Sequence, residues 1–251
     1  MNMYWKIHVT LLGAICASLT LTQCQQPSDG GRLSEVTREN PHINSLGMKF
    51  VPIPGTHILM CTTETRVAEF QAAGFTYNPP WYPQGGNHPA VNIQWSEAKN
   101  WCAWLSKKEG RTYRLPTEQE WNAATGPFSY TWGDNWPPAY KAGNFAGQEW
   151  RTAPAVDLQQ MKELWKSKVG GQWSLIKDYH DYQLYTAEVS SGQVDGLGLH
   201  HLSGNVWEWC ESQVLKGGSW VDGDREVLKS RYAASRPLYD FDNGFRCVLV
   251  K

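Results

Sequence analysis

The chain has 251 residues and a formal net charge of −1. That length accommodates one large domain or two small ones, and the balanced charge removes any electrostatic case for nucleic acid or an anionic membrane surface. Aromatic residues reach 13%, with 14 tryptophans, 23 glycines and 14 prolines, which excludes a simple helical bundle and points to a loop-rich fold pinned by aromatic anchors.

In chain order, the N-terminus reads as a targeting segment: Lys6 precedes an apolar run, Ile7 to Thr22, that is too short to span a bilayer comfortably. Cys24 stands where a lipoprotein-box cysteine would, three residues after Leu21, and lipidation at Cys24 is the expectation. Ordinary cleavage near Ala17 or Ser18 is the alternative, and both readings place the mature chain outside the cytoplasm. Residues 25–45 read as a flexible polar tether, as suits a chain displayed on the outer membrane or cell surface. Export leaves Cys61, Cys102, Cys210 and Cys247, and none of their spacings suits zinc. Disulfides therefore outrank metal, with three pairings open.

From residue 46 onward the pattern is that of a single α+β domain with a large irregular half. "GMKFVPIPG" reads as a strand and "TTETRVAEFQAAG" as a helix ending at Gly74. "SEAKNWCAWLSKKEG" reads as an amphipathic helix with Ser96 as N-cap, Ala98, Trp101, Cys102 and Leu105 on one face, and Gly110 as its stop. Thr117 and Glu120 have the spacing of a capping box. Turn chemistry then dominates, interrupted by a helix-like insert, "DLQQMKELWKSKVGG". Near the end, "GNVWEWC", "VLKGGSW" and "GFRCVLV" read as short strands. The stretch from Leu215 to Cys247 has the look of a site, with close-approach glycines, recurring arginines and aromatics, yet it holds no histidine or paired reagent for chemistry.

The motifs "HPAVNIQWSEAKNWCAWL", "YRLPTEQEWNAAT", "TWGDNWP", "AGNF", "GLGLHHLSGNVWEW", "LKGGSW" and "NGFRC" occur in this order. Together they resemble the formylglycine-generating enzyme (sulfatase-modifying factor) family from about Gly47 to the C-terminus. The resemblance implies a C-type-lectin-like fold: two helices on small twisted sheets with extensive irregular loops. It also implies where catalysis would reside, in two copper-binding cysteines just after the "GGS" segment. Here Trp220 to Arg236 contains no cysteine. Thiolates are the soft ligands that hold Cu(I), and Asp222 or Glu226 cannot replace them. No copper and no enzymatic activity are therefore expected.

Within the family the pattern is most similar to the non-catalytic variable proteins of diversity-generating retroelements, of the Treponema variable protein type. Their segment between "GGSW" and "GFR" is rewritten by mutagenesis at adenines. Asn codons mutated at their two adenines reach every residue except Trp, Lys, Glu, Gln and Met, and Tyr232 to Asn243 contains none of these five. That resemblance implies a ligand-binding face made by Trp220, Val221, Asp222, Gly223, Asp224, Tyr232, Ser235, Leu238, Tyr239, Asp240 and Asp242. Its Tyr, Ser and Asp content is that of a paratope. The side chains of this set are expected to project outward from a backbone fixed by Gly217, Gly218, Arg231, Arg236, Gly244 and Arg246.

The resemblance carries three further expectations. Asn144, the carbonyl of Phe145, Asp181 and the carbonyl of Gln183 match a structural calcium site of hard oxygen ligands. A second calcium site would use Glu208 and the carbonyls of Gly204 and Val206, but His201 stands where an oxygen ligand is needed. A disulfide between Cys102 and Cys247 would join a helix to the last strand. His200 and His201, adjacent on an extended segment, should face opposite ways and not chelate one ion.

The function expected is that of a non-catalytic, surface-displayed ligand-binding lipoprotein with a diversified C-terminal face. Its ligand would be a protein or a host or environmental surface molecule. The alternatives are a family oxidoreductase with another cofactor, or a structural lipoprotein of the envelope.

Overall fold

The computed structural model describes residues 33–169, 173–235 and 240–251. The expectations for residues 1–24, including Cys24, and for Arg236, Leu238 and Tyr239 lie outside them. Among the described residues, no helix is long and apolar enough to cross a membrane.

The fold is built on a five-stranded antiparallel sheet of order β1-β2-β3-β8-β4. Its strands are β1 (His42–Ile43), β2 (Lys49–Pro52), β3 (Ile58–Cys61), β4 (Tyr113–Arg114) and β8 (Val248–Val250). β3 is buried at all four positions because both faces of the sheet are covered, so its sequence "ILMC" shows no polar alternation. Its side chains nevertheless alternate between two cores. Leu59 and Cys61 join Phe50, Leu249 and Tyr113 under the helix that carries Trp101, Cys102 and Leu105. Ile58 and Met60 join Val51, Val248 and Trp121 on the other face.

Among the described residues, the helices that pack around the sheets are α1 (Val67–Ala72), α2 (Trp95–Glu109), α3 (Glu118–Ala124) and α4 (Ala155–Val169). α2 buries Ala98, Trp101, Cys102 and Leu105, the face expected from the sequence. Its N-cap is Gln94, not Ser96: the Gln94 N–H donates to Glu97 Oε2 at 2.8 Å, which starts the helix two residues earlier. α3 begins with the expected reciprocal box, Thr117 N–H donating to Glu120 Oε2 and Glu120 N–H to Thr117 Oγ1. Arg114 adds a two-pronged pair to Glu120, both contacts 2.7 Å, a geometry that fixes the carboxylate.

A second sheet, order β6-β5-β7, uses β5 (Trp207–Trp209), β6 (Leu215–Lys216) and β7 (Asn243–Gly244), with β5 and β7 parallel. Indoles tie this sheet to the α2 region: Trp209 Nε1 donates to Ile93 O at 2.7 Å, and Trp95 Nε1, at the start of α2, donates to Cys210 O at 3.0 Å.

Two expectations are corrected here. Part of the expected tether is folded: Leu33–Glu35 forms a 3-10 turn and β1 pairs with β2. Arg38 Nη1 also donates to Gly196 O at 2.8 Å, which anchors this stretch to a distant loop. The Cys102–Cys247 bridge is not formed: Cys61, Cys102, Cys210 and Cys247 are all buried free thiols. Cys102 and Cys247 share the α2-side core, where apolar packing alone accounts for their burial.

Candidate binding face and cation site

The site-like segment begins at β6 and turns sharply at Gly217 and Gly218, whose φ angles are +94° and +76°. An added Cβ at Gly218 would lie 2.5 Å from Leu228 Cδ2, so both conformation and space reserve this position for glycine. The Ser219 N–H donates to Asp222 Oδ2, and Ser219 Oγ lies 2.8 Å from Asp222 Oδ2 and 2.7 Å from Asp242 Oδ2. The two ends of the segment are thereby pinned together.

Trp220 then turns inward. Its ring stacks on Trp150 at 5.7 Å and meets Tyr82, Tyr185 and Phe241. The insert region, the chain between Asn144 and Asp181 that carries the insert, closes over the next residues. Trp173 Nε1 donates to Val221 O at 2.7 Å, and Ala146 N–H donates to Asp222 O. Gly223 lies so close to the insert region that a Cβ would sit 2.3 Å from Ser174 O.

These contacts correct the expected outward set. Trp220, Val221, Asp222, Gly223, Asp240 and Asp242 are buried, and only Asp224, Tyr232 and Ser235 of the described members are exposed. The physical reason is the insert region, which supplies an aromatic and backbone cover that the C-terminal segment cannot supply for itself. Asp240 likewise serves the fold: its Oδ1 accepts from Phe241 N–H, and its carbonyl accepts from Asn92 N–H.

What remains outside is a surface from Asp224 to Ser235. Asp224 Oδ1 accepts from Glu226 N–H and Val227 N–H, closing a tight turn. Arg231 holds the base of this surface to the end of α3, donating to Asn122 O, Thr125 Oγ1 and Gly126 O at 2.7–2.9 Å. Tyr232 stands 39% exposed above Trp207.

Arg246 is the buried brace of the region. It is fully buried and donates two 2.6 Å hydrogen bonds to Glu208, with further contacts to the carbonyls of Cys61, His200 and His201. Both Glu208 oxygens are thus engaged by a guanidinium rather than turned with Gly204 and Val206 toward a cation. Glu64, also fully buried, accepts from Asn205 Nδ2 at 2.9 Å. Burial pushes its carboxyl up to about 8 against the pull of Arg246. Nothing in the sequence pattern singles out Glu64, because its partner is 141 residues away.

The four residues expected to bind calcium come together despite the insert between them. Asn144, Asp181 and Gln183 line one cavity of about 360 Å³ with Tyr140, Tyr182 and His201. Phe145 N–H donates to Asp181 Oδ2 at 2.7 Å and Gln183 N–H to Asp181 Oδ1 at 2.9 Å. Asn144 Nδ2 is committed to Tyr185 O and Asn205 Oδ1, which leaves Asn144 Oδ1 buried without a hydrogen-bond partner. Burial, then the neighbouring Glu149 carboxylate, raises the Asp181 carboxyl to about 9. Lys141 also lines this cavity. An orphaned amide oxygen in the same cavity as a carboxyl group fits a hard cation. Glu149 is a neighbour that the sequence reading missed.

His200 and His201 face different cavities, but the expected extended alternation is not the cause, because His201 sits in the left-handed region at φ +46°. His201 is buried, and burial with the nearby His200 and Arg246 lowers its imidazole to about 3. Among the described residues no three His, Cys, Asp or Glu side chains converge as metal ligands. The cysteines lie in β3, in α2, after β5 and before β8 rather than on the 217–235 segment. Burial pushes the Cys61 thiol up to about 12 and raises the other three as well.

Residues 34–251 match the sulfatase-modifying factor enzyme 1-like domain. The chain belongs to this family. It is 31% identical over 193 residues to the formylglycine-generating enzyme of Streptomyces coelicolor, a match covering 64% of this chain and 52% of that one. It is 29% identical over 179 residues to the inactive C-alpha-formylglycine-generating enzyme 2 of Bos taurus, covering 64% and 50%. The chain therefore spans about half the length of the curated relatives it matches. Among solved structures, PvdO from Pseudomonas aeruginosa shares the fold with a TM-score of 0.52 and 19% identity, covering 77% of this chain and 80% of that one. The sulfatase-modifying-factor domain thus holds both enzymes and inactive members, on a C-type-lectin-like α+β scaffold.

Proposed function

We propose that this member is a non-catalytic ligand-binding protein, lipid-anchored and displayed at the cell surface, whose C-terminal face is diversified by a retroelement. One observation carries the reading. The segment where the family's copper thiolates would stand has no cysteine, and every described thiol is buried elsewhere with its proton held tightly. A thiol in that state is neither a nucleophile nor a soft metal ligand at neutral pH. The donor set on Trp220 to Ser235 therefore does not fit Cu(I). An inactive relative within the family supports the same reading.

The recognition surface in this proposal is narrower than the sequence suggests. It is the exposed residues between Asp224 and Ser235, among which Leu228, Ser230 and Ala234 turn inward, with Tyr232 as its aromatic contact and Arg231 and the Asp224 turn as its frame. Exposed Tyr and Ser on a braced loop give contact area and adaptable hydrogen bonding at low ordering cost. The pocket of Asn144, Asp181 and Gln183 would hold a structural calcium ion. Its role would be to neutralise Asp181 and lock the loops beneath the insert.

Two measurements test the reading. The purified protein, incubated with copper and a cysteine-containing sulfatase peptide, should yield no aldehyde; stoichiometric copper with aldehyde formation would refute the non-catalytic assignment. Sequencing of the flanking genome should find a reverse-transcriptase gene and an imperfect copy of this gene's 3′ end. Their absence would remove diversification while leaving the binding reading to the first test.

A further inference from the structure

The insert region does more than cover Trp220. α4 and the residues Trp173 to Leu175 border a groove of about 640 Å³ lined by Trp150, Arg151, Leu158, Lys162, Lys166, Trp173 and Leu175. That volume lies within the roughly 300–1,000 Å³ range of small-molecule sites. Its floor is aromatic, Trp173 meeting Trp150 edge-on at 4.9 Å, and Leu158 and Leu175 pack into the same cluster. Arg151, Lys162 and Lys166 are exposed cations, and none of the described lining residues carries a negative charge.

From this juxtaposition of the partly exposed Trp173 indole, two leucines and three cations, we infer that the groove binds a small aromatic anion, an aryl carboxylate or sulfonate. The ring would lie against Trp173, where offset or edge-on aromatic contact is favourable. The acidic group would sit at the rim among the two lysines and Arg151, in charge-assisted hydrogen bonds. This site is separate from the C-terminal recognition surface and goes beyond the function proposed above: it is built by the insert region, and its ligand class is set by the cationic rim.

The test uses the full chain with 1-naphthalenesulfonate and its uncharged analogue 1-naphthalenemethanol, followed by tryptophan fluorescence and calorimetry. The sulfonate should bind one per chain, at least about tenfold more tightly than the alcohol, and more weakly as salt rises. The double variant Lys162→Gln/Lys166→Gln should weaken it by about tenfold. The control Lys107→Gln/Lys108→Gln, two exposed lysines on α2, should leave it unchanged. All four lysines are solvent-exposed on helices, so none of these changes threatens folding. Absence of sulfonate binding, equal binding of the alcohol, or equal loss in both lysine variants would overturn the assignment. Binding to acidic peptide or anionic vesicles without binding of the sulfonate would overturn it too.

Discussion

Glu64 shows how a single buried group sets the chemistry of the interior. Its carboxyl is held near 8 in the folded protein against about 4.5 for a free glutamate. The folded state therefore binds its proton more tightly than the unfolded chain does. The stabilisation this confers is fully present below the ordinary glutamate range and is lost as pH rises through about 8. Glu64→Gln, which keeps shape and removes the titration, should melt like the parent near pH 5 and above it near pH 9. Thermal melts across that range check this, and identical pH profiles for the two proteins would contradict it. Gly218 is a second residue-scale constraint. Gly218→Ala must place a Cβ at φ +76° and 2.5 Å from buried Leu228, which should cost about 1–3 kcal/mol. Denaturant titration measures that loss.

At the scale of elements, the insert region and the C-terminal segment are a single packed unit. Replacing Tyr232 and Ser235 together by Ala touches only exposed side chains and should change stability by less than about 0.5 kcal/mol. Asp240→Ala, on a residue that sequence reasoning placed in the same outward set, removes a buried acceptor of the Phe241 N–H. It should cost about 1–3 kcal/mol. Urea unfolding of the two variants side by side separates surface from scaffold. α3 offers a local comparison: Thr117→Ala breaks the box at Glu120 and should cost about 1 kcal/mol, a fall of about 2–4 °C in Tm for a domain of this size.

Across the whole molecule, residues from widely separated parts of the chain converge on Asp181. Asn144 and Phe145 precede the insert, Asp181 and Gln183 follow it, and Asn205 bonds to Asn144 from the loop before β5. If calcium sits there, it binds only the folded chain and raises stability by mass action. Millimolar calcium should then raise Tm, chelator should reverse the gain, and Asp181→Asn should abolish it. A Tm indifferent to calcium in the parent protein would remove the ion from the proposal.

Much of this protein is settled by local sequence. The α2 face of Ala98, Trp101, Cys102 and Leu105, the Thr117–Glu120 box and the strands at Trp207–Trp209 and Val248–Val250 all follow from periodicity and capping, because those signals act within a few residues. The family motifs, running in order along the chain, carry the fold class for the same reason. Only tertiary structure decides which of these residues face outward. "ILMC" at β3 has no period of its own because two cores cover it. Trp220, Asp222 and Asp242 read as contacts until Trp150, Trp173 and Ser174 are seen to close over and around the segment. Burial is a property of what packs against a residue, and here the packing partners lie about 50 to 70 positions away along the chain.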